Sequence, residues 1–275
     1  MTWYAFLRLL AMPFAHLVAR LDVVGKENIP RDGPFILVAN HQSLLDPILV
    51  QVICPRPLYT LTNSTQFRGT VWGWLMPRVN AIPTRRYRID PQAVRVVLRR
   101  LSQGEAVGVY PEGERSWDTR LQPFRRGTIR LLLKAGVPVI PCWVAGSYDV
   151  WPRWSRTIRR RRVRVEFGQP LNWPALDGRQ ERNAVLPDAV EALRSALESL
   201  SGDHASPPRG RSTVARESSL AGEWPSSAAT GRSSGVKDSS LARGDVPSNR
   251  EDGSPGGRAS EPPLPGWLRG GGTIT

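Results

Sequence analysis

Short apolar runs alternate with segments of helical period through the first 200 residues of the chain. Residues 34–39, Pro-Phe-Ile-Leu-Val-Ala, follow the turn chemistry of Arg31-Asp32-Gly33-Pro34 and predict a buried strand. Residues 48–53 predict a short helix, with Asp46 as its N-cap and Pro47 at its first position. Val23 and Val24 predict a short strand ending in a turn, and residues 58–61 a second strand. Residues 67–79 carry Trp72, Trp74, Leu75 and Met76 at mixed spacing, which suits a short helix or a loop with an apolar face. Asp90 and Pro91 open a helix whose apolar side is Val94, Val97, Leu98 and Leu101, and Gly104 ends it. Residues 106–110 predict a strand, and residues 127–135 a helix closed by Gly136. Residues 137–144 predict a strand whose prolines suggest its start or an edge position. Residues 163–167 alternate as a half-buried strand does, and residues 187–200 predict a helix with Val190, Leu193 and Leu197 on one side. Strands alternating with helices imply an α/β fold, a largely parallel central sheet flanked by helices.

The two ends of the chain depart from this pattern. Residues 1–22 are rich in large apolar residues, among them Trp3, Phe6, Leu9, Leu10, Phe14 and Leu17, but Arg8, Pro13, His16 and Arg20 interrupt them. A spanning helix wants about 20 mostly apolar residues. The expectation is an interfacial amphipathic helix, kinked or ended near Pro13, with aromatics in lipid and arginines at headgroups. From residue 201 onward Ser, Gly, Pro, Arg and Ala dominate, a composition that cannot offset ordering entropy, so 201–275 is expected to be a disordered tail. The folded part is then residues 23–200, with the helix of residues 1–22 before it.

Charge sharpens the picture. The 275 residues carry a formal net charge of +14. Residues 1–200 hold 29 Lys+Arg against 16 Asp+Glu, while residues 201–275 hold 9 against 8. The basic character belongs to the folded part, which points to a phosphate-bearing substrate, an anionic membrane or a nucleic acid. Cys54 and Cys142 both lie in apolar sequence, where buried free thiols are expected. With no secretory cleavage signal, the expected compartment is the cytoplasm.

Four stretches offer chemistry. Asn40-His41-Gln42-Ser43-Leu44-Leu45-Asp46-Pro47 holds a histidine and a carboxylate five positions apart. Residues five apart on one regular helix do not meet, so the pair meets only if the chain turns between them. In that case His41 can take a proton from a hydroxyl near neutral pH, and Asp46 can fix its tautomer. Otherwise Asp46 merely caps a helix and His41 is a loop histidine. Pro111-Glu112-Gly113-Glu114-Arg115-Ser116 follows a strand end, where α/β folds place ligands. Arg115 offers a fork for phosphate, or a partner for Glu112 or Glu114. Asn80-Ala81-Ile82-Pro83-Thr84-Arg85-Arg86 clusters arginines, and Phe124-Arg125-Arg126-Gly127 opens a helix whose free N–H groups suit an anion. Arg85, Arg125 and Arg126 are therefore candidate phosphate or membrane contacts.

The order N-H-x4-D, I-P-x-x-R, P-E-G-x-R-S and V-P-V-I-P, spread from Val24 to Leu171, resembles the glycerolipid acyltransferases. More narrowly it resembles the bacterial 1-acylglycerol-3-phosphate acyltransferases. The resemblance implies that His41 is a general base oriented by Asp46. It implies direct attack of the acceptor hydroxyl on a thioester, without an acyl-enzyme. Arg86 would bind phosphate, Glu112, Gly113, Arg115 and Ser116 would help hold the glycerol phosphate, and residues 137–141 would serve donor binding and the core. The acyl donor implied is acyl-CoA or acyl carrier protein, with no metal or other cofactor. The implied partners are a membrane lipid substrate and an anionic membrane surface, and the implied place is the cytoplasmic face of the cell membrane, peripheral or monotopic. Two departures concern the acceptor. Glu114 stands where the family usually has threonine, and residues 60–67, Thr-Leu-Thr-Asn-Ser-Thr-Gln-Phe, lack the usual lysine and glutamate. Glycerol 3-phosphate or another lysolipid is the alternative acceptor. Arg156, Arg159, Arg160, Arg161, Arg162 and Arg164, with Trp151 and Trp154 nearby, would also suit nucleic acid. That use leaves the histidine loop without a role, and no nucleic-acid partner is expected; the run is instead expected to face lipid headgroups.

Overall fold

The computed structural model describes residues 3–85 and 90–202. Arg86 and the expected tail beyond Gly202 lie outside the described residues. The elements in chain order are α1 (Trp3–Val18), β1 (Ala19–Val24), β2 (Phe35–Ala39), α2 (Asp46–Ile53), β3 (Leu58–Asn63), α3 (Thr70–Arg78), β4 (Ala81–Thr84), α4 (Pro91–Ser102), β5 (Ala106–Val109), α5 (Arg126–Ala135), β6 (Val139–Ala145), α6 (Ser147–Val150), β7 (Arg161–Phe167) and α7 (Arg179–Ser201).

The seven strands form one sheet in the order β1-β7-β6-β2-β5-β3-β4. Every neighbouring pair is parallel except β6 with β7. The apolar run that opened the sequence argument is strand β2, inside the sheet between β6 and β5, and all five of its residues are buried. Its side chains alternate between two apolar layers. Phe35, Leu37 and Ala39 join Ala15, Val18, Leu45, Leu49, Ile53 and Cys142 on one face. Ile36 and Val38 join residues of α4, α5 and α7 on the other, among them Val97, Ile129, Leu133, Leu193 and Leu197. The result is a mostly parallel sheet covered on both sides by helices, as such a sheet requires. Cys54 and Cys142 are buried and free.

Two registers decide where the site lies. Cys142 of β6 pairs with Ala39, the last residue of β2, and β5 runs parallel to β2 with Val109 opposite Val38. The carboxyl ends of β2, β5 and β6 therefore share one edge. Because β7 is antiparallel to β6, Arg164 lies opposite Ala145, and β7 and its parallel neighbour β1 both begin at that same edge, with Ala19 opposite Arg161.

Several elements differ from the sequence expectation. Of the two readings of the prolines in residues 137–144, the start holds, since β6 begins directly after Pro138, and the edge does not, since β6 is an interior strand. In a strand a residue's N and C=O point to the same side, and the Pro141 carbonyl accepts from Gly168, just past the end of β7. The missing N–H thus faces the place where β7 has ended, so the ladder loses nothing. The arginines of residues 80–86 were expected at a strand end, and the strand before them is β4, whose Pro83 is tolerated because β4 is an edge strand. Helix α7 starts eight residues before Pro187 and continues through it, because Leu186, Ala189, Leu193 and Leu197 are buried against the sheet. Residues 67–79 resolve to a helix, α3, from Thr70. The expectations at Asp90 and Gly136 hold: the Asp90 carboxylate accepts from the N–H groups of Gln92 and Ala93, and Gly136 closes α5 in the left-handed region at φ 58°.

Helix α1 runs unbroken past Pro13 to Val18. Its faces are inverted relative to an ordinary surface helix. Trp3, Phe6, Leu9, Leu10, Met12, Phe14 and Leu17 are exposed, Leu17 by 70%. Arg8, expected at lipid headgroups, turns inward and donates from Nη2 to the carbonyls of Val52 and Cys54, at 3.1 and 2.6 Å. Those are unpaired carbonyls at the carboxyl end of α2, where a cation also complements the helix dipole. Arg8→Leu removes a charged donor from two carbonyls, and we expect it to cost about 1.5–3 kcal/mol of stability. Denaturant unfolding in detergent micelles measures this; an unchanged midpoint would show that the two bonds contribute nothing.

Candidate active site

The residues at the shared strand edge are held by their backbones before their side chains are considered. β2 ends at Ala39, and Asn40 next to it is 1% exposed. Its side-chain amide donates to the Val144 carbonyl at 3.1 Å and accepts from the Val144 N–H at 2.7 Å, which ties the loop to β6. His41 follows. Its N–H donates to Glu112 Oε1 at 2.8 Å, and its carbonyl accepts from the Ser116 N–H at 2.7 Å. The loop after β5 thus holds the histidine backbone from both sides.

Asp46 is fully buried, and its Oδ2 collects three donors: His41 Nδ1 at 2.9 Å, the Gln42 N–H at 2.6 Å and the Ser43 N–H at 2.7 Å. This corrects the expected N-cap. Leu45 occupies the cap position without a side-chain bond, and Asp46 is the first helical residue with its carboxylate turned back onto the preceding loop. The reason is competition: two loop N–H groups and an imidazole are within reach of that carboxylate, and they saturate Oδ2. With the carboxylate as acceptor, Nδ1 of His41 carries the hydrogen and Nε2 is left with a lone pair. The imidazole lies 4.4 Å from the Tyr110 ring, centroid to centroid, and the histidine side chain is 17% exposed. Burial pushes the Tyr110 hydroxyl well above its ordinary value, so that ring is a neutral wall. A lone pair with limited access, on a ring fixed by a carboxylate, can take a proton from a hydroxyl that enters from solvent.

The candidate phosphate residues divide. Glu112 is 4% exposed, and both its oxygens serve backbone, Oε1 the His41 N–H and Oε2 the Gln122 N–H at 2.9 Å. It supports the loops that carry His41. Ser116 is buried too, with its hydroxyl donating to the Asp118 carboxylate or the Arg120 carbonyl. Gly113 sits at φ 72°, and a Cβ there would overlap the Arg125 side chain, whose Nε donates to the Glu112 carbonyl at 3.2 Å. Arg125 is thereby brought to the P-E-G turn, at the start of α5 as expected, with Arg126 the first residue of that helix. Glu114 pairs with Arg153 at 3.7 Å, and Arg153 also donates to the Arg115 carbonyl and lies over the Trp117 ring. Arg85 is exposed, with its N–H on the Asp90 carboxylate at 3.0 Å. Asn40, Ser43, Tyr110 and Gln122 carried no expected role. Tyr110 and Asn40 were findable as neighbours of the motifs, whereas Gln122 was not, since its contribution is a backbone N–H. Among the described residues no group of three or more His, Cys, Asp or Glu is placed to hold a metal ion.

Burial pushes the Glu112 carboxyl up to about 7 from an ordinary 4.5, against the pull of the two N–H groups on its oxygens, with a further push from Asp46. A carboxyl raised on folding stabilises the fold fully below its unfolded value, and that contribution is lost as pH rises through the folded value. Wild-type stability by urea unfolding is therefore expected to fall relative to Glu112→Gln between pH 4.5 and about 7. Curves that stay parallel through that window would refute the shift.

With the geometry in place, relatives can be compared. A family model described as acyltransferase matches residues 20–145. The chain is 32% identical over 176 residues to a chloroplastic 1-acyl-sn-glycerol-3-phosphate acyltransferase of Brassica napus, an alignment covering 58% of this chain and 50% of that one. It is 24% identical over 181 residues to the 1-acyl-sn-glycerol-3-phosphate acyltransferase of Bacillus subtilis, covering 65% and 88%. The crystal structure of the 1-acyl-sn-glycerophosphate acyltransferase PlsC from Thermotoga maritima superposes with a TM-score of 0.57 at 25% identity, covering 72% of this chain and 81% of that one. The chain spans about half the length of the plant relatives it matches.

Proposed function

Since the chain belongs, through residues 20–145, to the acyltransferase family within the glycerolipid acyltransferase superfamily, we propose that it transfers a fatty acyl group from a thioester donor, acyl-CoA or acyl carrier protein, to the sn-2 hydroxyl of 1-acyl-sn-glycerol-3-phosphate. The product would be phosphatidic acid. The observation that carries this reading is the bond from His41 Nδ1 to Asp46 Oδ2 at 2.9 Å, at the strand edge where the family resemblance puts the chemistry.

In the proposed step the acceptor hydroxyl gives its proton to His41 Nε2 as its oxygen attacks the thioester carbonyl. The tetrahedral intermediate then expels the thiolate, which takes the proton back from the imidazolium. Asp46 steadies the ring and the charge that forms on it. Glu112 and Ser116 act one step removed, by holding the His41 backbone, and Arg115 and Arg125 are the candidates for the acceptor phosphate, together with Arg86. Membrane association is supported by the exposed apolar face of α1, which continues onto α3 through a Trp3–Trp74 edge contact at 5.7 Å. Among the described residues no helix is long and apolar enough to cross a membrane. Such a helix would lie in the interface, where a lysolipid acceptor resides.

One observation keeps a second acceptor in view. Glu114 places a carboxylate beside Arg115 and engages Arg153, so the headgroup environment differs from a threonine-bearing site. Glycerol 3-phosphate and other lysolipids are the competing acceptors.

Purified enzyme offered a panel of acceptors and donors, with products read by mass spectrometry, should use lysophosphatidate best. His41→Ala should lower that rate by about 10²–10⁴-fold, the usual worth of a general base, with the far-UV spectrum unchanged. Retention of near-normal transfer by this variant would remove His41 from the mechanism.

A further inference from the structure

The edge that carries His41 has a second exposed surface, unused by the chemistry above. The segment between α6 and β7 presents Trp154, 60% exposed, and Ile158, 40% exposed, and the loop after β5 presents Trp117, 56% exposed. These are held in place. Tyr148 meets Trp154 edge to face at 5.2 Å and donates from its hydroxyl to the Trp117 carbonyl at 2.9 Å. Arg153 covers one face of Trp117, 3.7 Å from its centroid. Around these apolar groups stand Arg156, Arg159, Arg160, Arg161 and Arg162, all exposed. The nearby carboxylates are Asp118, beside Trp117, Glu114, which faces Arg153 at 3.7 Å, Asp149, and Asp22, which is taken by Arg162 at 2.9 Å and Arg164 at 3.6 Å. The surface is therefore apolar at its centre and cationic at its rim.

Its position is fixed by topology. β7 and β1 begin at the edge where β2, β5 and β6 end. Arg160 donates to the His16 carbonyl at 3.2 Å, so the arginine run adjoins the carboxyl end of α1 and its exposed Phe14 and Leu17. Ser43, in the histidine loop, donates from its hydroxyl to the Trp151 carbonyl at 2.8 Å, so the same segment also abuts the catalytic loop.

We propose that this segment is a second membrane contact, in which Trp117, Trp154 and Ile158 enter the interface of an anionic bilayer while Arg156, Arg159, Arg160 and Arg161 meet its lipid phosphates. Tryptophan favours the headgroup level, and each arginine there gains from the negative surface potential. The proposal rests on the membrane-lipid reading of the site and adds orientation to it. One helix lying on a bilayer leaves the protein free to rotate about that helix. A second contact, off the helix axis and next to the histidine loop, removes that freedom and turns the active-site edge to the lipid.

The test separates binding from turnover. Full-length protein is measured for affinity to vesicles of phosphatidylcholine alone and of phosphatidylcholine with phosphatidylglycerol, and for acyl transfer in neutral detergent micelles. Arg156→Gln with Arg159→Gln should weaken binding to the anionic vesicles by about tenfold or more, leave binding to neutral vesicles unchanged and leave micellar kcat unchanged. Trp154→Ser with Ile158→Ser should weaken binding to both vesicles. If both double variants bind anionic vesicles as wild type does, the segment is not a membrane contact. A raised KM for acyl-CoA in micelles with unchanged vesicle affinity would also overturn the proposal and assign the arginines to the soluble donor. Loss of all acyl transfer by wild type, with these binding differences intact, would reject the enzymatic reading and spare the surface.

Discussion

The three donors on Asp46 Oδ2 are the constraint on which the site depends. Two of them are backbone N–H groups of the residues directly after His41, so a single oxygen closes the loop on itself. The closure explains why a spacing of five works: the turn made by residues 42 and 43 brings the imidazole to the same atom that organises the turn. The carboxylate lies in the first turn of α2, where the helix dipole also favours a negative charge. Removing it would leave three donors without an acceptor and a loop without a centre, so the orientation of the imidazole and local folding are one requirement here.

The motifs that stand 71 residues apart are joined through the backbone of His41, whose N–H goes to Glu112 and whose carbonyl takes the Ser116 N–H. This changes what the P-E-G stretch is for. Its glutamate and serine are buried and engaged with main chain, so they hold the loops on either side of the histidine. A buried carboxylate pushed up to about 7 is tolerable in this place because both its oxygens are bonded. The arrangement also ties the strength of the scaffold to pH through a group whose oxygens are bonded to backbone.

Much of this was legible in the residues. β2 declared itself by an apolar run between turn signals, α4 by Asp90 and Pro91, and α5 by Gly136, because each of those cues acts within a few residues of itself. The His41–Asp46 pair was legible as a question, and its answer lay in the local turn. What could not be read depended on distant partners. Whether Pro141 sits at an edge is decided by where β7 stops, at Phe167, far along the chain. Whether Arg8 faces out is decided by the carbonyls ending α2, 44 and 46 positions away. Nothing near Glu112 in sequence announces that the N–H groups of His41 and Gln122 will claim its oxygens.

Helix α1 shows how such distant partners alter the meaning of a pattern. Read alone it is an apolar segment marred by an arginine. Packed on α2, the arginine lies on the inner, bonded side, half-buried, and seven large apolar side chains lie on the outer one. In water that arrangement has the wrong sign, since fully burying each such side chain is worth about 1.5–3 kcal/mol. In a lipid interface the sign would reverse, and the inward turn of Arg8 would keep a charge off the exposed apolar face. The same logic separates this helix from a core helix placed badly. A core helix buries its apolar stripe and leaves its arginines in water, whereas α1 buries Tyr4, Ala15 and Val18 but leaves its large apolar side chains outside and turns Arg8 inward, and the exposed tryptophans of α3 extend the same outer face.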